Sequence, residues 1–280
     1  MELSPKRAAT SALVLFLLAE IVLLTFVNYG FTLGWFGWFE GPTNNLIQAT
    51  LLASLLVGAA VIGGVIFAYA RLAPADVGLM RAQLPVGMAY TLGLWVLTQA
   101  INGLAGLIAT VQLQFNAAWT EAGATVLLGA LLAQVAGNAL IEEAGWRGFL
   151  LPQLYLRLSA RLGRGRGHIL AVLGAQLLFA LMHIPNRLLN ERLAPGELLL
   201  SLAFVFVLGI FFAGIYLRTG NLFLAIGIHA LFNTPTALFA PVLPAQAVLG
   251  ALTILVLVAW PRITVQRMPR RGAPVQMGAA

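Results

Sequence analysis

Six residues of this chain have the types and spacing to do chemistry. Glu142, Glu143 and Arg147 fall together at the end of an apolar stretch. His183 follows Phe179 by four positions, and His229 precedes Asn233 by four. Intramembrane carboxylates and imidazoles serve acid–base catalysis and proton relays. Two His with one Glu are also the ligand set of many hydrolytic zinc sites. Residues four apart share a helix face, so Glu143 can pair with Arg147, and His229 and Asn233 lie on one face. Glu142 is turned about 100° from Glu143 on the 3.6-residue period. One carboxylate can therefore be neutralised by Arg147 while the other faces a cavity. Taken singly, each residue reads as a helix–helix hydrogen-bond partner, and Asn233 could satisfy backbone groups freed by Pro235. Two His, one Asn and a Glu pair on three apolar spans are hard to explain as packing. Glu20, Gln99, Asn102, Gln134, Asn138 and Gln176 also lie in apolar spans and are assigned to structural hydrogen bonding. Asn138, four residues before Glu142, could orient that carboxylate. His168 lies beside an Arg-Gly turn and reads as a surface residue.

The elements that position these groups are membrane helices. The 280 residues are 60% hydrophobic and only 9% charged, against about a quarter charged in soluble domains. Apolar runs long enough to span a bilayer recur at about 9–29, 46–70, 86–111, 123–151, 168–186, 198–217, 221–239 and 243–260. The expected fold is all-α, a polytopic bundle of about eight transmembrane helices, because a barrel would show short alternating strands. Residues 1–261 form the transmembrane domain, and 262–280 form a basic, disordered tail suited to anionic lipid. The net charge of +7 is read as topology, not as nucleic-acid binding. With the N-terminus inside, all of the 16 Lys and Arg except Arg187 and Arg192 fall on one side, which places both termini in the cytoplasm. There is no Cys, so thiolate catalysis, disulfides and Cys-ligated zinc are excluded. The Arg161–Gly167 stretch reads as a flexible turn.

Depth adds a constraint. Counted at about 1.5 Å per residue, His183, His229 and Asn233 lie well inside the bilayer. Glu142 reaches their level only if the fourth helix runs on to about Leu156. That continuation buries Arg147, which its pairing with Glu143 makes tolerable, and it must accommodate Pro152.

The set Glu142-Glu143-xxx-Arg147, Phe179-xxx-His183 and His229-xxx-Asn233 resembles the signature of the CPBP family, the CAAX protease and bacteriocin-processing group also called Abi. Asp76-Val77-Gly78-Leu79 resembles a segment common in its bacterial members. The resemblance covers about 123–240, with order and spacing matching throughout. It implies an intramembrane endopeptidase in which Glu142 is the catalytic glutamate and His183, His229 and Asn233 are its partners. One branch of that family removes the last three residues of prenylated CAAX proteins. Other members are linked to bacteriocin maturation or immunity.

On that reading Glu142 activates a water that His183 helps to hold, and His229 and Asn233 stabilise the oxyanion. Glu143 and Arg147 brace the site, and Arg147 is also available to a substrate carboxylate. The expected chemistry needs no cofactor. The zinc alternative would use His183, His229 and Glu142, although no His-Glu-x-x-His motif is present. A non-enzymatic bacteriocin-immunity or scaffold protein that binds a peptide in the same cavity is the other function class. A proton-coupled transporter would more often show repeated halves, and none is visible. The expected partners are membrane lipid and a membrane-associated peptide or protein, in a bacterial inner membrane.

Overall fold

The structure, a computed structural model, describes residues 6–263. Among them are six helices long and apolar enough to cross a membrane and two shorter apolar ones. They are α1 (Thr10–Thr32), α2 (Ala49–Tyr69), α3 (Leu84–Thr110), α4 (Ala124–Leu162), α5 (Arg164–Leu189), α6 (Pro195–Thr219), α7 (Leu222–Asn233) and α8 (Ala245–Ile263). No β-strand is formed among the described residues, only a single bridge between Phe115 and Phe239. The protein is thus an all-α polytopic membrane bundle. The basic tail lies outside the described residues from position 264 onward.

Each expected span has its helix, with two informative differences in length. α4 runs unbroken past Glu142 to Leu162. It does so by widening: residues Gln134–Asn138 and Glu143–Leu150 are wound as π-helix. A proline removes one N–H and crowds the carbonyl four residues back. The wide turns just before Pro152 absorb that demand, so the helix is not broken there. α7 instead stops at Asn233, short of the expected 239, because Pro235 cannot continue the amide ladder. Residues 234–240 then run extended beside 114–116, with Asn116 N–H donating to Leu238 O and Ala240 N–H to Gln114 O.

Glycines set the close approaches. A Cβ on Gly148 would lie 2.3 Å from Val77 O, which packs the Asp76–Leu79 turn against α4. A Cβ on Gly167 would fall 2.5 Å from the Ser159 backbone, so the end of α4 and the start of α5 form a tight hairpin. Helix already resumes at Arg164. The Arg161–Gly167 stretch is therefore a one-residue turn at Gly163, not a flexible loop. His168 is exposed there, edge-on to Tyr155. α7 is apolar all round and buried along nearly its whole length, as a central helix must be. Asn221 caps it by accepting from Leu224 N–H.

Charge is segregated by the packing. Lys6 Nζ donates to Arg71 O, and Arg157 Nη2 donates to Ala8 O. These basic residues from three segments share one end of the bundle. Arg187 lies at the other end, where Asn186 and Asn190 hydrogen-bond to Asn28 near the end of α1.

Candidate active site

Two adjacent sites are built from the six residues, and α4 divides them. The first is sealed. Glu143 and Arg147 are fully buried, and Glu143 Oε1 lies 3.1 Å from Arg147 Nη1, one helical turn away. The same oxygen accepts from His229 Nδ1 on α7 at 2.8 Å. Arg147 Nη2 donates to Gly209 O of α6 at 3.3 Å, and its guanidinium lies 4.1 Å above the Phe179 ring. Phe212 stacks on the His229 ring at 4.3 Å and 17°. A buried cation against two aromatic faces and a carboxylate is stabilised by both ring quadrupole and charge. Arg147 does not line the cavity described next. The cationic side chain that does line it is Arg187, which pairs with Glu191.

The second site is open. A cavity of about 420 Å³ lies between α1, α2, α4, α5 and the end of α7, within the size range of ligand pockets. Glu142, His183 and Asn233 all line it. His229 stands behind Glu142, with Nε2 3.6 Å from Glu142 Oε2. His229 thus hydrogen-bonds Glu143 through Nδ1, while its Nε2 faces Glu142 from beyond hydrogen-bond reach. It is not among the residues that line the cavity.

His183 is held by a local break in α5. Pro185 interrupts the ladder, and His183 N–H bonds Ala180 O instead of Phe179 O. The Phe179 carbonyl so released accepts from His183 Nδ1 at 2.9 Å. A backbone carbonyl can only accept, so Nδ1 carries the proton and Nε2 is left as the acceptor. Asn233 Nδ2 donates to Gln134 Oε1 at 2.8 Å, and one of its two N–H bonds is thereby used.

Several residues assigned to structural hydrogen bonding belong to this cavity. Gln134 and Asn138 line it, as does Glu20 on α1. Asn138 donates to Gln134 Oε1 at 3.5 Å, not to Glu142. Away from the cavity, Gln99 accepts from Leu238 N–H at 2.8 Å. Asn102 and Gln176 have no hydrogen-bond partner for their buried amide atoms. The sequence held a signal for the cavity-lining residues. Positions 134, 138, 142 and 146 of α4 all line the cavity, as do 20, 24, 28 and 31 of α1. A four-residue step drifts by about 40° in an ideal α-helix. The wide turns of α4 rotate that drift back, so its stripe stays in line.

Among the described residues, no three His, Cys, Asp or Glu side chains are grouped so as to hold a metal ion. His229, one of the three residues of the zinc alternative, bonds Glu143 through Nδ1 and turns Nε2 toward Glu142.

The fold defines a class, the polytopic helical membrane proteins. Residues 124–235 match the family model described as type II CAAX prenyl endopeptidase Rce1-like. That segment holds every one of the six motif residues, and the match agrees with the resemblance read from the motifs. No curated protein and no solved structure matches the chain.

Proposed function

We propose that the protein is an intramembrane endopeptidase in which Glu142 activates water against a peptide bond of a membrane-associated peptide or protein. The observation that carries this reading is the division of the glutamate pair. Glu143 is sealed with Arg147 and His229, while Glu142 faces a cavity shared with His183 and Asn233. Glu142 accepts a proton from water, whose other partner is the lone pair of His183 Nε2. The hydroxide adds to the carbonyl carbon. The second N–H of Asn233 meets the oxyanion, a role that preorganised donors perform with large effect. His229 fixes the Glu142 carboxylate. The chemistry uses these side chains alone.

The cavity extends along α1 from Glu20 to Phe31, away from the end that holds Lys6, Arg71 and Arg157. If that basic end is cytoplasmic, substrate enters from the opposite leaflet of a bacterial inner membrane. This favours a bacterial peptide over a cytosolic prenylated protein.

The test is cleavage of a membrane-associated peptide library by the purified protein in proteoliposomes. Cleavage should survive exhaustive chelation and should fall by about 10³-fold or more in Glu142→Gln, at the strong end of general-base effects. Full activity in Glu142→Gln would show a non-enzymatic or differently built site. Loss on chelation restored by zinc would overturn the metal-free chemistry.

A further inference from the structure

The cavity contains a second carboxyl group that the hydrolytic scheme above leaves unused. Glu20 of α1 is 2% exposed. It lines the same cavity as Glu142, and its Oε1 is buried with no hydrogen-bond partner. Its placement is built into the packing of α1 on α4. Phe16, one turn before Glu20, lies edge-on to Trp146 and against Phe149. Gly145 lets the helices close: a Cβ there would sit 3.1 Å from the Phe16 ring and 3.7 Å from Glu20 Oε1. Glu20 and Glu142 thus line one cavity from facing helices.

An ionised carboxylate with neither cation nor donor is costly to bury, and an intramembrane Glu marks function by default. Peptide hydrolysis also needs a proton for the leaving amine. Among the groups lining the cavity, His183 has its Nδ1 proton committed to Phe179 O and offers a lone pair at Nε2. Asn233 cannot release a proton, and Arg187 is paired with Glu191. That leaves a carboxylic acid.

We propose that Glu20 is the proton donor to the leaving amine, an inference that rests on the endopeptidase reading. Water gives one proton to Glu142 and its hydroxide to the carbonyl carbon. As the C–N bond breaks, its electron pair stays on nitrogen, which takes the proton of the Glu20 carboxyl. Proton transfer from Glu142 to Glu20 through cavity water then restores both groups.

The experiment compares a peptide amide with an ester of the same acyl chain whose leaving group is a nitrophenolate, which departs without a proton. Glu20→Gln should lose about 10²-fold or more on the amide, within the range of general acid catalysis, and keep ester cleavage within about threefold. Glu142→Gln should lose both. Equal losses on the two substrates, or an unimpaired amide rate, in Glu20→Gln would overturn the proposal while leaving the endopeptidase reading intact. A wild-type protein that cleaves neither substrate would overturn that reading and the proposal with it. Should Glu20→Gln fold poorly, Glu20→Ala with added formate supplies the second arm. Formate must restore amide cleavage and leave ester cleavage unchanged, and no restoration counts against the proposal.

Discussion

Glu142 and Glu143 are neighbours in sequence and opposites in surroundings. Glu143 has an arginine, an imidazole and two aromatic rings closed around its ion pair, and no exposed surface. Glu142 has one distant imidazole contact and faces open space. The difference comes from a rotation of about one residue on a helix. It teaches that charge in this bundle is divided between holding and reacting. The sealed cluster fixes α4, α6 and α7 against one another, and the cavity side is left with unspent hydrogen-bonding capacity. His229 joins the two, since one ring nitrogen faces each carboxylate.

The largest effect should come from breaking the sealed side. Arg147→Ala leaves Glu143 buried without its cation, and removing one partner of a buried pair costs about 3–5 kcal/mol. Thermal denaturation in detergent should show a strongly lowered midpoint, with activity lost in proportion to folded protein. A stable but inactive Arg147→Ala protein would mean that the arginine serves chemistry and not the brace.

The double variant Glu143→Gln with Arg147→Met sharpens the same point with a smaller effect. It removes both charges, keeps an acceptor for His229 Nδ1, and leaves an apolar chain between Phe179 and Phe212. Replacing a whole buried pair is far milder than breaking it, so stability should return to within about 1–2 kcal/mol of wild type. Hydrolysis should return with it to within about an order of magnitude, because Glu142 is untouched. A double variant as unstable as Arg147→Ala would show that the pair itself holds the fold.

Much of this division was legible before the structure. The i, i+4 spacing of Glu143 and Arg147, the different heading of Glu142, and the need for α4 to run past Trp146 all follow from helix geometry applied to charge in an apolar span. The six long apolar helices and the two shorter ones among the described residues fall where hydropathy placed eight apolar runs. What the sequence withheld concerns partners on other helices. Periodicity along α1 gives Glu20 a face but does not say that α4 closes on it at Gly145. Nor does it reveal the wide turns at Gln134–Asn138 and Glu143–Leu150. Those turns put Gln134 and Asn138 in register with Glu142, where an ideal helix would have carried them aside. The early end of α7 was readable from Pro235, but an apolar run alone extends through it.

The smallest effect tests whether the open side works by alignment. Gln134 Oε1 accepts from Asn233 at 2.8 Å and from Asn138 at 3.5 Å. Asn233 is the last residue of α7 and is itself exposed, so this one hydrogen bond fixes its amide over the cavity. A single hydrogen bond of this kind is worth about 0.5–1.5 kcal/mol, and the exposed setting puts it at the lower end. Gln134→Ala should therefore barely move the denaturation midpoint. It should lower kcat by about tenfold, a fraction of what losing an oxyanion donor outright costs. KM should stay nearly constant, because the interaction is strengthened only as charge develops on the carbonyl oxygen. A variant that loses stability as Arg147→Ala does would erase the distinction between the two sides. A rise in KM at constant kcat would move Asn233 from the reacting carbonyl to substrate binding.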